Sequence, residues 1–262
     1  MTAVSRNSDS TPGGTSCTLH LLGGFELFVD GRPLSIPDAS QNVIAFLALQ
    51  TAPVRRSFVA GSLWSGKDEA RAAANLRSAL WRLPPAAAKL VVGSGTSLRL
   101  DRSVSVDYCD VMKVAGGIVR GDPEIMALPG WAEFQILSAE LLPGWYDDWI
   151  VTERERLAQT RLRAFEVLGR RALERGNVEL AIGLAQSVVL AEPLRETGHL
   201  LLARAHLANG NRPDALRQIK RLDAILRTEL GISASAEAWR LAEQAVLDPD
   251  REVVAARDHQ AR

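Results

Sequence analysis

The chain has 262 residues, 47% hydrophobic and 24% charged, with 31 basic and 31 acidic side chains. That length accommodates two domains with separate cores, and a formal charge of zero means that a polyanion partner has to be argued from where the charges sit. The two cysteines, Cys17 and Cys109, are too far apart for a metal-ligand spacing and suggest a reducing compartment; no apolar run approaches the ~20 residues that cross a bilayer.

Residues 1–17 carry Ser, Thr, Gly and Pro without a signal peptide's apolar stretch, so they read as a flexible leader of a cytoplasmic protein. Order is expected from Thr18. Thr18–Leu22 and Phe25–Asp30 are rich in β-formers, and the Asp30-Gly31 turn signal leads to Leu34–Ile36, a small antiparallel meander. Past Pro37 the period changes. Val43, Phe46, Leu47 and Leu49 to Thr51 follow helical spacing, closed by Pro53. Ser57 is the candidate N-cap of a short helix Phe58–Trp64, and a third helix runs from Asp68 to Leu83, stopped by Pro84-Pro85. Leu90–Val92 and Ser97–Leu100, joined by Gly93-Ser94-Gly95, complete the set as a β-hairpin. The order sheet, three helices, hairpin is that of a winged helix over residues 18–107.

From 108 to 247 the pattern is helical, punctuated at Gly121-Asp122-Pro123, Leu142-Pro143-Gly144, Arg175-Gly176-Asn177, Glu192-Pro193, Gly210-Asn211 and Gly231. Leu173-x-x-Gly176-Asn177-x-x-x-Ala181-Ile182 recurs as Leu207-x-x-Gly210-Asn211-x-x-x-Ala215-Leu216, an offset of 34 residues, which is the tetratricopeptide period. Ala181 and Ala215 allow paired helices to approach, opposite Leu168-Gly169 and Leu202-Ala203. The expected fold class is therefore an α+β winged helix followed by an all-α tetratricopeptide-like repeat domain, with residues 248–262 a flexible tail.

The third helix carries the functional reading. At about 100° per residue, Ala73, Leu76, Leu80 and Leu83 are predicted to form the buried stripe. Arg71, Asn75, Ser78 and Arg82 would then form the opposite one, with Ala74 and Trp81 beside it. Arg and Asn can bond base edges in a bidentate way, and Ser reaches a base or a phosphate. Between Arg55 and Arg102 nine basic side chains face three acidic ones, the local asymmetry that a polyanion partner requires. Arg55, Arg56, Lys67 and Arg99 are the expected phosphate contacts, and Arg99 with Arg102 would bring the hairpin to phosphates or the minor groove.

These residues resemble a known family. Leu63-Trp64, the run Ala70–Leu83, Leu21-Leu22-Gly23-Gly24-Phe25, Asp30-Gly31 and Val106-Asp107 are similar to the Streptomyces antibiotic regulatory proteins. The DNA-binding part of that family is a winged helix of the OmpR type. Glu192–Glu196 and Leu226–Gly231 resemble the family's second half, the bacterial transcriptional activation domain. The resemblance implies an activator that binds double-stranded promoter DNA at direct repeats, self-associates on tandem sites and contacts the RNA polymerase holoenzyme. The usual targets are secondary-metabolite gene clusters. It adds Arg77 to the reading helix and repeats Arg71, Asn75, Ser78, Arg82 and Arg99. Two positions depart from the pattern: Ala39-Ser40-Gln41 stands where a basic residue enters the first helix, and Thr96-Ser97-Leu98 where the wing has an aromatic. Larger members add an ATPase module; no Gly-x-x-x-x-Gly-Lys-Ser/Thr occurs here, so a small stand-alone form is expected.

Other constellations point elsewhere. His20, His199, His206 and His259 show no metal pairing, and His199 and His206 coincide with packing positions of the repeat. Trp131, Trp145, Tyr146 and Trp149 could line a pocket or seal a junction between helical units. Glu153–Arg163 mixes signs as a solvated helix face does. No catalytic set, cofactor, metal site or membrane partner is expected. The competing reading is a protein-interaction scaffold whose winged helix docks proteins without DNA affinity.

Overall fold

The structure, a computed structural model, describes residues 16–123, 125 and 139–247. The leader up to residue 15, Trp131, His259 and the tail from 248 lie outside the described residues. The chain divides into two compact units, Met1–Lys113 with Gln135–Leu157, and Val114–Phe134 with Ala158–Arg262.

The first unit opens with β1 (Cys17–His20), β2 (Glu26–Val29) and β3 (Arg32–Pro33), paired antiparallel in succession. The Asp30-Gly31 turn is the predicted one, with φ of 50° and 74° at its two residues, the double positive φ that a two-residue hairpin of matching twist needs. That turn is so tight that pairing resumes at Arg32, so the strand expected at Leu34–Ile36 lies two residues earlier. A fourth strand, β7 (Val104–Val106), joins β1 in parallel with Cys17 opposite Val104. Asp107 then fixes the junction, its Oδ1 accepting the Leu21 N–H at 2.9 Å and its Oδ2 the Leu22 N–H at 3.1 Å.

Between the strands, α1 (Asp38–Ala48) starts directly after Pro37 and ends before Leu49, shorter at its C-terminal end than the sequence pattern suggested. Helix α2 (Arg56–Leu63) begins before Ser57, which is not its N-cap. The reason is a strand the sequence concealed: β4 (Val54–Arg55) pairs with β6 (Ser97–Leu100), and the Arg56 N–H donates to Thr96 O at 2.7 Å. The chain leaves the sheet and enters the helix at once. Helix α3 (Glu69–Trp81) follows, then a single turn, α4 (Pro85–Ala88), opened by the second of the two prolines. The hairpin is β5 (Val91–Ser94) with β6, turning at Gly95-Thr96; α5 (Asp107–Arg120) follows β7 directly, at the edge of the four-stranded sheet. Val43, Phe46, Leu47, Val59, Leu63, Ala72, Leu76, Ala79 and Leu98 form one buried cluster that joins the three helices to the hairpin.

Residues 139–157 belong to this unit. Leu22 bridges Leu141, and the Leu142 N–H donates to Leu21 O at 2.8 Å. Of the predicted aromatic cluster, two rings pack within the first unit: Trp145 stacks on Phe25 with ring centroids 6.1 Å apart, and Trp149 meets Phe46 edge-on at 5.3 Å. Arg154 departs from the expected solvated face, donating to the carbonyls of Leu141 and Leu142.

The second unit contains the C-terminal part of α6 (Asp148–Glu174), followed by α7 (Val178–Ala191), α8 (Glu196–Ala208), α9 (Arg212–Leu230) and α10 (Ala236–Val246). The recurrence in sequence is a recurrence in bonding. Gly176 and Gly210 stand at φ 75° and 72°; the Asn177 and Asn211 N–H groups reach back to Ala172 O and His206 O, both at 2.8 Å. Each asparagine side chain then caps the next helix, accepting from Leu180 N–H and Asp214 N–H. Ala181 and Ala215 are buried. His199 is a packing residue, its Nε2 2.9 Å from Pro193 O and its Nδ1 2.6 Å from the Gln218 amide. No helix among the described residues is long and apolar enough to cross a membrane.

Candidate nucleic-acid interface

The sequence places its candidate residues on α2, α3, the turn between them and the β5–β6 hairpin, all in the first unit. Asp68 starts α3 by accepting the Arg71 N–H at 2.9 Å, which satisfies one of the donors that a helix N-terminus leaves open. The other end is secured from α1. As the helix closes, the Leu83 N–H turns to Leu80 O, and the buried Ser40 hydroxyl donates to Ala79 O at 2.8 Å. Ser40, near the start of α1, thus clamps α3 from a buried position.

The buried stripe of α3 is Ala72, Leu76 and Ala79, continued by Leu83. Ala73 and Leu80 are only half-buried, so the stripe is rotated from the predicted one. The cause is packing: Ala72 and Ala79 are small enough to let α1 and α2 come close, and the bulkier Leu80 lies at the margin. At about 100° per residue, Arg71 and Arg82 then stand about a quarter-turn from the buried direction and Asn75 nearer still. Asn75 is half-buried, while Arg71, Arg77, Ser78 and Arg82 are exposed. Trp81, 85% exposed, occupies the position opposite the core.

Arg55 and Lys67 are exposed. Arg56 is half-buried, its guanidinium lying against the hairpin backbone at Gly93. Arg56, Lys67 and Arg77 share the rim of a cleft of about 410 Å³ between α2 and α3, with Trp64, Glu69 and Leu76. On the hairpin, Leu98 turns inward to the core, and the half-buried Arg99 donates to Leu100 O at 3.3 Å. Arg102 is exposed in the turn before β7. The neighbouring acid, Asp101, is engaged by Ser103, whose hydroxyl and N–H donate to it at 2.7 and 2.9 Å and hold its carboxyl below the usual range. A hydrophobically anchored helix with exposed arginines beside an arginine-bearing hairpin can meet the phosphates and one groove of a duplex without chemistry of its own. The outward side of Trp81 is as the sequence pattern predicts; the β4 strand and the Ser40 clamp left no signal there.

Residues 136–247 match the family of the bacterial transcriptional activator domain. Among solved structures, the chain is similar to Mycobacterium tuberculosis EmbR, solved in complex with a low-affinity phosphopeptide. The TM-score is 0.66 and the identity 19%, over 95% of this chain and 71% of that one. At that identity the likeness concerns the fold: small sheets and helices first, a helical region after. No curated protein sequence matches the chain.

Proposed function

We propose, from a segment matching the bacterial transcriptional activator domain behind a unit with an exposed basic reading helix, that this protein is a DNA-binding transcription activator. Residues 18–107 are its OmpR-type winged helix, and residues 108–247 a tetratricopeptide-like activation domain. The protein binds direct repeats in double-stranded promoter DNA, self-associates on tandem sites and contacts RNA polymerase there; secondary-metabolite genes are the regulated class, after the sequence resemblance.

The observation that carries the reading is the exposed edge of α3, Arg71, Ser78 and Arg82, with Arg77 exposed on the other side of Trp81, all backed by buried Ala72, Leu76 and Ala79. Arg55, Arg56, Lys67, Arg99 and Arg102 add phosphate contacts, and Asn75 reaches a base from a half-buried start. A mobility-shift assay on the upstream regions of the neighbouring genes tests it: a discrete complex that survives competitor DNA is expected. Binding no tighter than to random duplex would favour a docking module for proteins instead.

A further inference from the structure

Trp81, like Tyr146, stands almost wholly in water in the first unit. Its indole is 85% exposed on a helix whose other outward residues are small or polar. A single exposed apolar side chain is ordinary by itself; its direction and its neighbours set this one apart. Its direction is specific. With the core along Ala72, Leu76 and Ala79, Trp81 projects about 170° away, the outermost direction of α3, together with Ala74 two turns earlier. Ala70 and Ala74 add no bulk on that side, so whatever α3 faces can approach its backbone until it meets the indole.

The surroundings state the partner's charge. Arg77 stands one turn before Trp81, Arg82 directly after it and Ser78 beside it, all exposed. The acids of the helix, Asp68 and Glu69, are at its far end, where Asp68 caps it. An apolar knob ringed by cations suits a polyanion with an apolar group in its recognition surface. In a DNA major groove that group is the thymine C5-methyl, the one apolar feature that base edges present there.

We propose that Trp81 is a specificity-determining contact, packing on a thymine methyl at the C-terminal end of the α3 footprint. The inference rests on α3 entering the major groove. It predicts that each half-site carries a thymine whose methyl group, rather than its hydrogen-bonding edge, is read.

The test uses the full-length protein and DNA duplexes it selects from a random library. Each thymine of a selected half-site is replaced in turn by uracil, which lacks only the methyl, and binding is followed by fluorescence anisotropy. At one position the replacement should weaken wild-type binding about fourfold, the worth of one buried carbon. Trp81→Ala should bind both duplexes equally, while Trp81→Phe keeps part of the difference. An unchanged circular-dichroism melt confirms that the variants fold. Uracil without effect at every position, or an effect that persists in Trp81→Ala, overturns the proposal. So does a Trp81→Ala variant that fills one half-site normally but loses cooperative filling of the second, since the indole would then contact protein. If wild type enriches no sequence at all, the promoter-reading function falls first, and the two failures are told apart by that step.

Discussion

Asp68 holds Arg71 twice: Oδ1 accepts the arginine's backbone N–H at 2.9 Å, and Oδ2 lies 3.3 Å from its Nε. One carboxylate thus starts the helix and fixes the inner edge of the guanidinium, leaving the terminal amino groups to point outward. Arg71 is 78% exposed, so its pairing is worth little as stability. Its value is orientation, because a pre-aimed fork loses less freedom on bonding a base.

Arg71→Ala and Arg82→Ala are each expected to weaken specific binding by about 1–3 kcal/mol and to relax preference at one operator position. Asp68→Asn keeps the cap but releases the guanidinium, so it should lose part of the same preference with an unchanged melting temperature. Anisotropy titrations against single-base operator variants measure both. Specific affinity untouched in all three variants would remove α3 from the groove.

Phosphate contacts are read through salt. Each neutralised phosphate contributes about −0.9 to the slope of log affinity against log salt. Lys67→Ala and Arg55→Ala should each flatten that slope by about one contact and weaken random and selected duplexes alike. A variant that altered sequence preference and left the slope alone would show that the residue had been placed wrongly.

Ser40→Ala removes the donor to Ala79 O in a buried site. A loss of about 1–2 kcal/mol is expected, read as a lower urea midpoint. Because the clamp spans α1 and α3, specific DNA affinity should fall more than non-specific affinity. Ser40→Thr, if its extra methyl is accommodated, restores the donor.

In the second unit, Arg195 forks onto Glu166, with Nε 2.7 Å from Oε1 and Nη2 3.1 Å from Oε2, and Thr197 bonds the same carboxylate. Burial alone would raise the Glu166 pKa, but these hydrogen bonds outweigh it and hold the carboxyl below its ordinary range. The folded value is the lower one. The pair therefore stabilises fully above the unfolded carboxylate range, and the contribution is lost as pH falls through the folded value. Glu166→Gln should cost about 3 kcal/mol near neutrality. In urea titrations repeated towards acid pH, the gap between variant and wild type should close.

Gly198 packs where a Cβ would lie 2.6 Å from Cγ1 of Val188, and a β-branched side chain on a helix has little room to turn away. Gly198→Ala is expected to destabilise by about 1–3 kcal/mol, and Val188→Ala in the same chain to recover part of it. Thermal melts of the two single variants and the double variant give the coupling; strict additivity would show that the two sites do not touch.

Local signals were legible and distant ones were not. Asp30-Gly31 reads as a turn because only a few residues tolerate its torsions. The Asn177 and Asn211 caps announce themselves by repetition. In contrast, β4 is two residues long and pairs with a strand more than forty residues later, and β7 lies parallel to β1 from the other end of the unit. Neither leaves a periodicity. Ser40 looks like any surface serine until α3 is laid across it. The orientation of α3 was read with an error because Ala and Leu were weighed by hydrophobicity, whereas closeness of approach selected Ala72 and Ala79 for the interior.

The matched backbone torsions at Gly176 and Gly210 have an evolutionary corollary. A stretch of gene cut at one of these joints and spliced in again at the other begins and finishes in the same posture. Duplication or loss of a whole block would leave these two seams as they were, so the reach of the helical array can drift between descendants independently of the first unit.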